Sequence, residues 1–157
     1  MCRQLRKPGD MSIRQYVTGI QEMNQDFKHF PDAGNNPFLP EDELTNIVEA
    51  GDGQDIVLAM GKTNAAYGND GKDILIGLGE SNKLYGGADE DILLAGGKSN
   101  SFSGGSGQDV ILGIGERNSV SGNEGNDWLL AGGKLNTFRG GDGEDVVVSV
   151  GKTNLVD

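Results

Sequence analysis

The sequence predicts an all-β fold, a parallel β-roll or β-solenoid of six 18-residue coils preceded by an N-terminal amphipathic helix. Three observations carry that prediction. One 18-residue unit is written six times without a gap, starting at Ala50, Gly68, Gly86, Gly104, Gly122 and Gly140. Each unit carries an aspartate in one column (Asp55, Asp73, Asp91, Asp109, Asp127, Asp145) and, nine residues further on, an asparagine in a second (Asn64, Asn82, Asn100, Asn118, Asn136, Asn154). Two residues after each of these stands an apolar residue: Val57, Leu75, Leu93, Ile111, Leu129 and Val147 in the Asp halves, Ala66, Leu84, Phe102, Val120, Phe138 and Val156 in the Asn halves. One inward apolar side chain per short strand is what a two-sheet roll requires.

Composition narrows the function classes. A length of 157 residues fits one repeat array plus an appendage, and the 27 glycines favour turn-rich β-structure. A net charge of −11 and a pI near 4.4 argue against nucleic acid and anionic membrane as direct partners and suit cations. Cys2 is the sole cysteine, so no internal disulfide forms and an exported chain of this kind needs another staple. The N-terminus MCRQLRKPGDM lacks the apolar core of a cleaved signal, and no stretch approaches the length of a membrane span. Export is therefore expected to use a different signal, or the chain is a piece of something larger.

In chain order, residues 1–9 are basic, contain Pro8 and Gly9, and are expected to form a flexible tail. Over 10–30, Ile13, Tyr16, Val17, Ile20, Met23 and Phe27 recur at helical spacing between Arg14, Gln15, Gln21, Glu22 and Asp26. Asp10 or Ser12 caps the start of this expected helix and Pro31 ends it. Its apolar stripe is expected to pack on the repeats or cap their open end, the alternative being a membrane-active or partner-binding helix. Residues 31–42, with three prolines, read as a linker. Asn46 lies 18 residues before Asn64, so the roll, 43–157, is expected to begin with a lone Asn half-unit.

The fourth unit, Gly104-Gly105-Ser106-Gly107-Gln108-Asp109-Val110-Ile111-Leu112, shows the chemistry of the Asp halves. Its glycines allow left-handed and closely approached backbone that can aim carbonyls inward. Stacked coils lie about 4.8 Å apart, which places the aspartates in one row of like charge, and such a row resists folding unless something positive intervenes. Calcium fits, because it takes six to eight carboxylate and carbonyl oxygens at flexible distances; magnesium fits less well, and zinc has neither thiol nor imidazole here. The competing possibility is a solenoid that folds without metal, its aspartates solvated and partly neutralised.

The Asn halves read G-[K/E]-x-N, as in Gly61-Lys62-Thr63-Asn64, and are expected to stack as an amide ladder along the edge opposite the calcium. Small residues fill the column Ala59, Gly77, Ala95, Gly113, Ala131 and Ser149, as at a tight inner corner. Lys62, Glu80, Lys98, Glu116, Lys134 and Lys152 mostly alternate in charge from coil to coil. Outside, the Asp-half strands stay apolar, from Ile56 and Leu58 through Trp128 and Leu130 to Val146 and Val148, whereas the Asn-half strands are mostly polar. An apolar outer face needs cover. One helix is expected to be too small for six coils, so a second copy or another part of a larger protein should share that role.

The pattern G-G-x-G-x-D-x-U-x, where U is a large apolar residue, resembles the nonapeptide of repeats-in-toxin (RTX) proteins, and with G-x-x-N it is most similar to the C-terminal 18-residue repeats of multifunctional-autoprocessing RTX toxins. The likeness covers the array from residue 50 onward. Five of the six Asp halves keep the glycine two residues before the aspartate; the third has Asp89 there, and Asn69 and Asn123 replace a glycine elsewhere in the loop. The resemblance implies a roll that is unfolded at low cytoplasmic calcium, leaves a bacterium by type I secretion and folds in extracellular calcium. It implies a secreted toxin module, whose partners are calcium and other domains of the toxin or a host surface. Its implied ligands are the six aspartates with the loop carbonyls of Gly51, Gly53, Gly71, Gly87, Gly105, Gly107, Gly125, Gly141 and Gly143. Ions held between successive loops would number about 4 to 5.

No catalytic constellation is expected. His29 is the only histidine and reads as a solvated residue at a helix end, and Asp89 with Asp91 is better explained by the metal column than as an acid/base pair. The glycine-rich loops carry aspartate, which repels phosphate. An adhesive or receptor-docking surface on the apolar sheet is the alternative function.

Overall fold

The computed structural model of the protein describes residues 45–157 together with the strand Phe27–Lys28. In chain order the strands are β1 (Phe27–Lys28), β2 (Thr45–Glu49), β3 (Ile56–Met60), β4 (Thr63–Asp70), β5 (Ile74–Leu78), β6 (Ser81–Ala88), β7 (Ile92–Ser106), β8 (Val110–Glu124), β9 (Trp128–Asp142) and β10 (Val146–Val156). All pair in parallel, and from β2 onward every partner lies 18 residues along the chain, as in Asn46 with Asn64 and Leu93 with Ile111. The lone Asn half-unit, β2, stacks on β4 of the first full coil.

Each coil has two arms. In the first two coils these are separate strands; in β7 to β10 they run through a corner where pairing lapses, at Lys98 opposite Glu116 and at Lys134 opposite Lys152. The Asp arms form one parallel sheet and the Asn arms the other, and the core lies between them. Strand alternation sends every second residue inward. Val57, Leu75, Leu93, Ile111 and Leu129 from the Asp arms meet Val48, Ala66, Leu84, Phe102, Val120 and Phe138 from the Asn arms, all buried. Val147 is only partly buried and Val156 is 64% exposed, because no described coil stacks beyond them. The small column is tight as expected: a Cβ on Gly113 would lie 2.7 Å from the Phe102 ring, and one on Gly77 would lie 3.1 Å from Asn82 Oδ1.

Of the stretch 10–30 expected to be helical, only Phe27 and Lys28 are described, and they form a strand. Phe27 pairs with Ile56 and Lys28 with Val57, adding an edge strand to the Asp-arm sheet at the first coil. The rest of that stretch, the tail 1–9, the linker 31–42, Cys2 and His29 lie outside the described residues. Among the described residues there is no helix long and apolar enough to cross a membrane.

The outer face of the Asp-arm sheet is apolar along three columns, those that begin at Ile56, Leu58 and Met60. Trp128 on it is 56% exposed and Ile114 59%. On the other sheet the Tyr67 and Tyr85 rings stack with centroids 4.8 Å apart, and serines continue their column at Ser103 and Ser121.

Candidate metal centre

The Asp loops share one backbone conformation. Positive φ occurs at Gly51, Gly53, Gly71, Gly87, Gly105, Gly107, Gly125, Gly141 and Gly143, between 98° and 132°, and these are the nine glycines whose carbonyls the sequence nominated. The three departures from glycine hold the same left-handed geometry: Asn69 at 77°, Asp89 at 74° and Asn123 at 80°. Short polar side chains pay little for it. Asn123 is further tied by donating to Ser103 Oγ at 3.0 Å and accepting from Ser121 Oγ at 3.1 Å. The loops stack so closely that a Cβ on Gly105 would strike the carbonyl oxygen of Gly87, and one on Gly107 that of Asp89. Loop carbonyls therefore point along the stack toward the next coil.

The aspartates turn inward at the corner between Asn arm and Asp arm. Asp55, Asp73, Asp91, Asp109 and Asp127 are at most 3% exposed, and Asp145 in the last coil is half-buried. From Asp73 onward each carboxylate is anchored to the preceding coil: the backbone N–H of Asp73 donates to Asp91 Oδ1 at 2.8 Å, that of Asp91 to Asp109 Oδ1 at 2.9 Å, and that of Asp109 to Asp127 Oδ1 at 2.9 Å. The second oxygen, Oδ2, of Asp91, Asp109 and Asp127 is buried and has no hydrogen-bond partner. A carboxylate has no donor of its own, so this oxygen needs an outside partner.

Electrostatics point the same way. Burial, with the charges of Asp109, Asp73 and Asp89, pushes the Asp91 carboxyl up to about 7. Burial, with Asp127 and Glu90, pushes Asp109 up to about 6, and burial with Asp145 raises Asp127. In each case the backbone hydrogen bond to Oδ1 opposes the rise without cancelling it.

Sequence reasoning missed the glycine that opens the second to sixth units as part of this site. A Cβ on Gly68, Gly86, Gly104, Gly122 or Gly140 would run into the carboxylate five residues later, at Asp73, Asp91, Asp109, Asp127 or Asp145. In these five coils the bare Cα leaves room for the buried acid, whereas the first coil has Ala50 at this position ahead of the equally buried Asp55. The repetition of that glycine in five consecutive units was the available signal.

At the opposite corner the asparagines do form the expected ladder, in the interior and not along an outer edge. Asn46, Asn64, Asn82, Asn100, Asn118 and Asn136 are at most 2% exposed. Each donates from Nδ2 to Oδ1 of the next, over distances of 2.7 to 2.9 Å from Asn46 through to Asn154. Carbonyls of the neighbouring coil take the second N–H, as in Asn118 to Gly132 at 3.1 Å.

The Asp corner fits a calcium ion. It offers buried carboxylate oxygens that lack a donor, carbonyls aimed along the stack, and only hard oxygen ligands. Among the described residues no three acidic, histidine or cysteine side chains gather at one point, so carbonyls must share the coordination with carboxylates. Zinc, which prefers sulfur and nitrogen, is poorly served.

A family model, the RTX calcium-binding nonapeptide repeat, matches this chain in four copies, covering residues 67–97, 90–113 and 121–149. Neither a search of the curated proteins nor one of the solved structures finds a match. The matched segments hold the loops, the buried aspartates from Asp73 to Asp145 and the stacked arms described above. The coiled array of this chain is an RTX calcium-binding β-roll.

Proposed function

We propose that the roll is the calcium-responsive folding module of a secreted bacterial toxin, folding in extracellular calcium to support type I secretion and toxin assembly, with no catalysis of its own. The observation that carries this is the row of buried aspartates in which Asp91, Asp109 and Asp127 each keep one oxygen without a donor. The ligands are the six aspartates of the column with the carbonyls of the nine positive-φ glycines. When bound, calcium supplies the positive charge that this corner lacks. An unfolded chain has no assembled site, so binding free energy becomes folding free energy. A ligand at about 100 times its Kd adds about 2.7 kcal/mol per site. Four sites then contribute about 11 kcal/mol, comparable with the whole stability of a typical domain, about 5–15 kcal/mol. Calcium alone is therefore enough to switch the chain between an extended, export-competent form and the roll.

Titration calorimetry of the chain with calcium and with magnesium tests this. The expected result is about 4 to 5 calcium ions per chain, taken up cooperatively, with no comparable response to magnesium. Uptake of one ion or none, or an equal response to both metals, would overturn the proposal.

A second function is favoured by one specific observation, the exposed apolar face of the Asp-arm sheet. Patches of this kind mark docking surfaces. Substituting that face while calcium-driven folding persists separates this role from the first.

A further inference from the structure

The outer face of the Asp-arm sheet carries a pattern that its own chain does not explain. Its three columns hold only apolar side chains and two glycines, Gly96 and Gly132, both in the column that begins at Met60. Elsewhere in the array glycine answers a left-handed φ, as at Gly105, or a close neighbour, as at Gly113. Here neither applies: a Cβ on Gly96 would meet nothing nearer than Leu78 Cδ2 at 3.7 Å, and one on Gly132 nothing nearer than Val150 O at 4.0 Å. Both are hollows in an exposed surface. Two residues beyond each end of the face lie two further outward columns, one at Gln54, Lys72, Glu90, Gln108, Asn126 and Glu144, the other running from Lys62 to Lys152, and all of their side chains are exposed.

These two outer columns match across each coil. Lys72 stands eight residues before Glu80, Glu90 before Lys98 and Glu144 before Lys152; in the other three coils a glutamine or asparagine stands before a charge. Eight residues span about 26 Å, so these charges do not meet within one chain. Their pairs within the chain run along the stack instead, Lys72 with Glu90 at 2.6 Å and Lys98 with Glu80 at 2.8 Å. A second copy, turned about a two-fold axis that runs along the stack over the middle column, brings the matched columns together. Each coil then faces itself reversed: Lys72 meets the partner's Glu80, Glu90 the partner's Lys98 and Glu144 the partner's Lys152, with no like charges opposed. The same axis sets Trp128 over the partner's Gly132 and Ile92 over the partner's Gly96, so a bulky side chain meets each hollow. An axis along the strands would instead oppose Lys62 to the partner's Lys152 and Trp128 to the partner's Ile74.

Size agrees. Five columns over six coils give thirty positions, at the upper end of the about 20–30 residues a side of a standard interface, which buries about 800 Å² per partner. An apolar centre within a polar rim is also the anatomy of such interfaces. We propose that two copies of the chain pack face to face by their Asp-arm sheets about an axis along the stack, each covering the apolar face of the other. This rests on the docking-surface role above and names its occupant. The face exists only where coils are stacked, so dimerisation follows calcium-driven folding. Bound calcium also offsets the net charge of −11 that sets two chains apart.

Trp128 lies at this contact and is the only tryptophan, so it reports cover directly. The experiment follows the full chain in calcium and in chelator by sedimentation equilibrium, Trp128 emission and acrylamide quenching, beside the variants G132L, E144K, K152E and E144K/K152E. The expected unsubstituted chain is a dimer in calcium, with blue-shifted, poorly quenched Trp128, and a monomer in chelator. G132L makes the face more apolar yet fills the hollow under the partner's Trp128, so its dimer Kd should rise about tenfold while the calcium-driven far-UV signal persists. E144K and K152E each oppose like charges twice per dimer and should raise Kd about threefold at low ionic strength. E144K/K152E should restore it. A G132L dimer as tight as the unsubstituted one, or a charge exchange that restores nothing, would overturn this packing. A calcium-loaded monomer overturns the second copy: with Trp128 shielded, the cover comes from within the same chain, and with Trp128 freely quenched, the face is open to a different partner. A dimer formed equally in chelator would keep the interface and overturn the calcium-responsive folding instead.

Discussion

The two corners of each coil are one device built with two side chains. At both, an inward polar residue stacks on its copy in the next coil and packs against a small residue five positions earlier: Gly86 before Asp91 at one corner, Ala95 before Asn100 at the other. Asparagine carries a donor and an acceptor, so its column closes on itself, Nδ2 to Oδ1, coil after coil. Aspartate carries only acceptors. Its column takes a backbone N–H on one oxygen and leaves the other wanting, with charge accumulating down the row. A difference of one atom per side chain thus divides the roll into a corner complete in itself and a corner that requires a cation.

Exchanging the two chemistries should have the largest effect. Asn118→Asp removes the donor that serves Asn136 Oδ1 and Gly132 O and buries an unpaired charge in the ladder. The calcium-loaded roll should lose about 3–5 kcal/mol in denaturant unfolding. The reciprocal Asp109→Asn should raise the residual structure of the calcium-free chain and lower calcium uptake. If both substitutions behave alike in calcium and in chelator, the two corners are not chemically distinct.

The glycine that accommodates the acid comes next. Gly104→Ala places a Cβ against the Asp109 carboxylate and 2.8 Å from the Gly122 carbonyl oxygen. It should cost about 1–3 kcal/mol, as overpacking does. Gly96→Ala, on the outer face with Leu78 Cδ2 at 3.7 Å as its nearest neighbour, should fall within about 0.5 kcal/mol of wild type. Equal costs would remove Gly104 from the site.

Much of this was legible in the sequence. The 18-residue period set the parallel register, the apolar columns named the core, and G-x-G marked the positive-φ turns. Depth was not legible. A column of Asp or Asn spells stacking but not inward orientation, which depends on the small residue five positions back. The N–H to Oδ1 bonds between coils were also invisible, because they depend on the backbone of a neighbouring coil. The strand at Phe27–Lys28 has only two pairs and sits inside a helix-like pattern, so no local signal announces it.

Acid should act on one corner only. The folded-state pKa values of Asp91 and Asp109, about 7 and about 6, lie above the ordinary aspartate value of 3.8. Protonation therefore favours the calcium-free roll fully below the unfolded pKa, and that contribution is lost as pH rises through 6 to 7. In chelator, far-UV circular dichroism should show more β-structure at pH 5 than at pH 8. The amides of the Asn ladder do not titrate in this range, so Asp→Asn substitutions should flatten the profile. A calcium-free profile flat in the unsubstituted chain would contradict buried, repelling carboxylates.

The smallest effect belongs to the surface. Lys98 pairs with Glu80 at 2.8 Å and Lys134 with Glu116 at 2.9 Å, all four side chains well exposed. Lys98→Ala should leave the denaturant midpoint nearly unchanged in either calcium or chelator. A larger loss would give the Asn-arm corner an electrostatic role that its ladder does not require.

The central claim is that the aspartate corner is incomplete without calcium. Far-UV circular dichroism of the chain near neutral pH, first in excess chelator and then through a calcium titration, tests it most directly. The expected result is no β signal in chelator and a cooperative rise with calcium, with Trp128 fluorescence changing over the same range. A chain equally folded in chelator and in calcium would contradict it.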